Sequence, residues 1–169
     1  MSKHTLDTLS SAIDRITAGL PSGCVTVERR HFDIHDSWTE FQITPSREGA
    51  TRIVVAVDDD ETVIGISAGA LVKFEVFVGK KFTPDVAIAV NIVEAIAAGG
   101  LVEDVFESDG KVYQSRALLR FPDGHVLKSW THGAEFSLRR RDKTNREIAY
   151  LAWEPCGVSS SPRHEEGQS

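Results

Sequence analysis

The segment from Thr83 to Gly99 constrains the fold most, because it carries both a start and a stop for a helix and has runs of strand-like periodicity on either side. Thr83 can cap, Pro84 suits the first helical position, Asp85 complements the helix dipole, and Gly99 can take the left-handed exit. Ala87, Asn91, Glu94 and Ala98 fall on one narrow stripe, while Ile88, Val90, Ile92, Val93 and Ile96 occupy most of the remaining circumference. A helix so patterned is expected to be largely buried, gripped on several sides. Its Val and Ile content makes a buried strand the competing reading, against which its length and caps argue. The most apolar part, Val86 to Ala98, is interrupted by Asn91 and Glu94 and is shorter than the roughly 20 residues of a membrane span, so no membrane association is expected.

Upstream, Leu6, Leu9, Ile13 and Ile16 recur at three and four between Thr5 and Ala18, and Gly19 then Pro21 stop the pattern, which predicts an amphipathic first helix. The period then changes to two. Val25 and Val27, Phe41 and Ile43, Ile53 to Val57, Thr62 to Ser67, and Val72 to Val78 read as strands of an antiparallel meander. Beyond the second helix, Ser108-Asp109-Gly110 and Pro122-Asp123-Gly124 are turns separating strands at Leu101 to Glu107, Lys111 to Phe121 and Val126 to Trp130. Phe136 and Leu138, then Ile148, Tyr150 and Ala152, suggest a last hairpin turning through Asp142 to Asn145. Helix, strands, helix, strands is not the βαβα alternation of a doubly wound parallel sheet. The expected class is α+β: two helices with a mainly antiparallel sheet of about eight strands.

The chain has 169 residues, 41% of them hydrophobic and 26% charged, which suits one self-folding domain over residues 1–155. From Pro155 the composition shifts to Ser, Pro, Gly and charge, so residues 156–169 read as a disordered tail. Cys24 and Cys156 form no metal-type pair, and the N-terminus lacks a basic region followed by an apolar one. A reduced, cytoplasmic protein is therefore expected. The formal net charge of −6 opposes nucleic acid and favours a basic partner surface.

Gly65-Ile66-Ser67-Ala68-Gly69 has the G-x-S-x-G spacing of a nucleophile elbow, with Asp109 or Asp123 and then His125 or His132 in hydrolase chain order. The elbow requires a helix directly after the serine, whereas Leu71 to Val78 reads as a strand, so Ser67 is read as part of a small-residue turn or bulge. His31, His35 and Asp36 can be drawn as metal ligands, yet no H-E-x-x-H pattern supports them and surface histidines are the simpler reading; no metal is expected. Asp58, Asp59, Asp60 and Glu61 lack the register of a calcium loop and read as a solvated hairpin turn, or as an acidic contact patch for a basic partner. Arg139, Arg140, Arg141, Lys143 and Arg146 have no interleaved aromatics, and read as a charged edge or turn of the last hairpin. Trp38, Trp130 and Trp153 sit among strand residues, where core burial is the default and exposure of any one would make it an interface anchor. No glycine-rich phosphate loop and no paired-cysteine zinc motif occurs, so no cofactor is expected.

The stretch Asp85 to Gly100, DVAIAVNIVEAIAAGG, followed by Leu101-Val102-Glu103, together with the small acidic α+β architecture, resembles the immunity proteins of bacterial polymorphic toxin systems. The resemblance implies a single cytoplasmic domain without catalytic activity that binds a secreted toxin and occludes its active site, with the first helix, Asp58 to Glu61 and Arg139 to Arg146 as contacts. The alternative from a different class is a small serine hydrolase or small-molecule-binding domain centred on Ser67. Oligomeric state is left open by the sequence.

Overall fold

The computed structural model describes residues 4–34, 36–58, 63–77, 86–108, 110–132 and 143–153. The first helix, α1 (His4–Ala18), turns Leu9, Ala12 and Ile13 into the core, as their three- and four-residue spacing dictates. Five strands follow as a meander: β1 (Val25–Ile34), β2 (Asp36–Pro45), β3 (Ile53–Asp58), β4 (Val63–Ala68) and β5 (Val72–Phe77), each antiparallel to the next. Period-two alternation sorts their two faces. Ile53, Val55, Val57, Ile64, Ile66, Ala68, Val72, Phe74 and Val76 are buried on one. The other carries Val54, Ala56, Gly65, Ser67, Lys73 and Glu75.

The second helix, α2 (Val86–Ala97), packs against α1 and lies over β4 and β7. Ala89, Val90, Ile92, Val93, Ala95 and Ile96 are buried, while Ala87, Ile88, Asn91 and Glu94 face solvent. Thr83, Pro84 and Asp85, the expected cap, lie outside the described residues. The exit is as the glycines predict. Gly99 has φ +78°, and the amides of Gly99 and Gly100 donate to Ile96 and Ala95 carbonyls, both at 2.9 Å. A Cβ at Gly99 would stand 2.7 Å from the Ala152 nitrogen, so glycine is required by the close approach of the backbone at Ala152 as well as by φ.

Four more strands, β6 (Leu101–Ser108), β7 (Lys111–Arg120), β8 (Val126–His132) and β9 (Lys143–Ala149), form a second antiparallel sheet in the order β8-β7-β6-β9. The molecule is thus α+β, with two helices and nine strands divided between two antiparallel sheets. Their edges meet where β5 runs beside β8 and the Ser129 hydroxyl donates to the Lys73 carbonyl at 2.6 Å. The core is continuous through both helices, the inner face of the first sheet, Leu101, Ala117 and Leu119 of the second, and Trp153.

The last hairpin requires correction. Lys143, Thr144 and Asn145 are not turn residues. They open β9 and pair with Ser108, Glu107 and Phe106 of β6. The physical reason is long-range: β9 finds its partner in a strand some forty residues earlier, which no local turn signal encodes. Residues 136–138 and 154–169 lie outside the described set. Among the described residues, no helix is long and apolar enough to cross a membrane.

Candidate partner-binding surface

On the outer face of the second sheet, Trp130, Arg116, Asp104 and Glu147 stand opposite one another across β8, β7, β6 and β9. Trp130 is 56% exposed. The Arg116 guanidinium lies over its ring at 4.1 Å from the centroid, and over the Phe106 ring at 5.2 Å. Such stacking supports the indole without burying it, and an exposed aromatic beside an arginine has the character of an interface anchor. A hollow of about 320 Å³ beside it is floored by Val102 and Leu118 and rimmed by Asp104, Lys128 and Glu147. The other two tryptophans differ. Trp38 is half-buried, stacks on Phe32 with centroids 5.1 Å apart and donates Nε1–H to Glu40 at 2.8 Å. Trp153 is 2% exposed and donates Nε1–H to the Thr51 carbonyl at 3.1 Å.

Ser67 lies within β4, opposite Val54 on β3 and Lys73 on β5. After it the chain turns at Gly69, φ +59°, and enters a strand; the strand-to-helix geometry of an elbow is not built here. His125 sits in the β7–β8 turn, where its backbone N–H donates to the Asp123 carboxylate at 2.9 Å, and neither residue lines the groove that contains Ser67. Asp109 lies outside the described residues.

That groove, about 480 Å³, opens where the outward face of β3 to β5 meets the inner side of β9, and Thr51, Arg52, Ser67, Lys73, Arg146 and Tyr150 contribute its polar lining. Behind Tyr150 is a residue that pattern reading passed over. Glu103 is fully buried, and its Oε2 accepts hydrogen bonds from the Ala70 amide (2.9 Å) and the Tyr150 hydroxyl (2.7 Å), while Oε1 accepts from the Leu71 amide (3.1 Å). One side chain of the second sheet thus holds the β4–β5 turn of the first. The turn in return needs glycine at 69, since a Cβ there would collide with Glu103 Oε2 and stand 2.9 Å from Tyr150 Oη. Burial, then the hydrogen bond and charge of Glu103, push the Tyr150 phenol well above its ordinary range. The signal for Glu103 was present: Leu101, Glu103 and Val105 share one face, two of them plainly apolar.

The other predicted residues are dispersed. Asp58 ends β3 and its carboxylate accepts the Val63 amide at 2.9 Å, closing the β3–β4 connection; Asp59, Asp60 and Glu61 lie outside the described residues, as do Arg139, Arg140 and Arg141. Arg146 is in β9, the edge strand of the second sheet, so of the two readings of the basic cluster the charged edge holds for this residue and the turn does not. Glu107 and Arg146 are diagonal neighbours on one face of the β6–β9 ladder, which brings the Glu107 carboxylate to Arg146 Nε at 3.1 Å and Nη2 at 2.8 Å. His31 Nδ1 lies 3.2 Å from Thr39 Oγ1 across the β1–β2 ladder, His35 is outside the described residues, and no group of three metal-ligating side chains converges among those described. The solvent faces of α1 and α2 enclose a further groove of about 750 Å³, with Asp7, Ser11, Arg15, Asn91 and Glu94 among its walls.

Compared with protein-family models, curated proteins and solved structures, the chain matches none of them.

Proposed function

We propose that this chain is a non-catalytic binding protein of the immunity class, which docks on a secreted bacterial toxin and covers its active site. The observation that carries the reading is the exposed Trp130 under the Arg116 guanidinium, with the carboxylates of Asp104 and Glu147 further along the same row of the sheet. Aromatic and arginine side chains supply most of the energy at protein interfaces, and a carboxylate rim raises association rate toward a basic face. The formal net charge of −6 acts in the same direction and disfavours nucleic acid as the partner. Inhibition is then steric and electrostatic, in a protein that works in the cytoplasm of the cell it protects. Asp58 to Glu61 and Arg139 to Arg141 are secondary contacts in this reading.

The test is capture followed by rescue. Immobilised wild-type chain retains a host protein that Trp130→Ala releases; that protein, expressed alone, arrests growth, and co-expression with the wild-type chain restores it. A retained protein that is harmless, or rescue undiminished in Trp130→Ala, refutes the reading.

A further inference from the structure

We propose that the groove around Ser67 binds a small organic phosphate, with Arg52 and Lys73 neutralising the phosphoryl group and the Ser67 hydroxyl donating to it. The groove is cationic in an acidic protein: Arg52, Lys73 and Arg146 line it, and no carboxylate is among its described lining residues. Strand register explains the convergence. Ser67 lies directly between Val54 and Lys73 on the outward face, and Arg52 projects to that same face two residues before Val54, so the two cations flank the serine. Arg146 reaches in from the other sheet.

These groups differ in how far they are committed elsewhere. Arg146 is held by Glu107, which orients it and offsets part of its charge. Arg52 and Lys73 make no ion pair, and Ser67 Oγ no hydrogen bond, among the described residues. Glu103 lies behind Tyr150 with both oxygens occupied by three donors, and Glu107 is engaged by Arg146, which leaves Arg52 and Lys73 as the cations without a paired carboxylate among the described residues; Glu75 shares the outward face but does not line the groove. Two to three positive groups with a hydroxyl suit a phosphate dianion, for which charge-assisted contacts are the strongest available. Val54, Leu71 and Ile148 give the walls an apolar portion for an organic substituent, and about 480 Å³ is within the range of small-molecule sites. A long polyanion is disfavoured by the net charge of −6.

The groove opens on the inner side of β9, whereas Trp130 stands on the outer face of that sheet, so this inference is independent of partner docking. The test titrates the full chain with phenyl phosphate at low ionic strength, following backbone amide shifts. Saturable binding is expected at low-millimolar ligand, with the largest shifts at Ser67, Lys73 and Tyr150. Lys73→Gln and Arg52→Gln should each weaken it about five- to tenfold, roughly the effect of one charge-assisted contact. Arg15→Gln, on α1 across the core, should leave it unchanged. Absence of saturable binding overturns the proposal, as do shifts centred elsewhere or equal weakening by Arg15→Gln. The shift map on the unsubstituted chain keeps the test decisive even where a variant folds poorly.

Discussion

Glu103→Gln is the most informative single change, since it conserves volume and alters only hydrogen-bonding character. The carboxylate is acceptor-only and meets three donors: the Ala70 amide, the Leu71 amide and the Tyr150 hydroxyl. With the Gln oxygen placed where Oε2 stands, the contacts to Ala70 and Tyr150 persist as neutral hydrogen bonds. The new amide nitrogen then faces the Leu71 N–H, donor against donor. One buried amide loses its partner, at about 1–3 kcal/mol, and two charge-assisted bonds weaken by about 1 kcal/mol each. Relief of carboxylate desolvation offsets part of this, leaving a net loss of about 2–4 kcal/mol. For a chain of this length that corresponds to roughly 5–15 °C in Tm. Urea unfolding followed by circular dichroism and tryptophan fluorescence measures it, and amide hydrogen exchange should show Leu71 losing protection more than any residue of α1. Glu103→Gln as stable as the parent chain, or protection lost evenly, would show that the carboxylate does not hold the β4–β5 turn.

Tyr150→Phe gives a pH-dependent counterpart. The folded phenol holds its proton above the ordinary value near 10, so from about pH 10 upward the unfolded state carries fewer protons and stability falls, while below that nothing is lost from this source. Thermal melts between about pH 8 and pH 11 should fall more steeply for the parent chain than for Tyr150→Phe, and equal slopes would reject the assignment. Trp153→Ala removes a side chain that is 2% exposed and bonded to the Thr51 carbonyl, at a cost of about 3–5 kcal/mol in urea unfolding; a loss under about 1 kcal/mol would mean that the C-terminal strand is not anchored through this ring.

Locally coded features were legible. The buried alternation of β5 follows from Val72, Phe74 and Val76 set between Lys73 and Glu75, whereas Ile53 to Val57 reads only as a continuous apolar strand and the burial of Ile53, Val55 and Val57 over Val54 and Ala56 is set by packing. β8 misleads by the same rule. Its sequence Val126-Leu127-Lys128-Ser129-Trp130-Thr131 puts the larger apolar residues at even numbers, yet Val126 and Trp130 are exposed and Leu127 packs on the core. The face β8 buries is set by its pairing with β7, which puts Leu127 opposite Leu119 and Trp130 opposite Arg116. The G-x-S-x-G match lacks its helix, as the strand pattern of Leu71 to Val78 predicts, but Ser67 is a regularly paired residue of β4 and not part of the turn or bulge that its small neighbours suggest. What the spacing did not show is that Arg52, Lys73 and Arg146 would gather around that serine from three strand regions on two sheets.

The sequence alone determined the two helices, the Gly99 exit and the absence of a regular βαβα alternation, because each depends on periodicity and on conformational preferences within a few residues. Tertiary structure alone decided that the strands divide into two sheets, that β9 joins β6, and that a buried Glu103 bridges them. It likewise decided that Trp130 is the tryptophan left exposed. These depend on pairings between segments far apart in the chain, whose register is fixed by packing and not by any local preference.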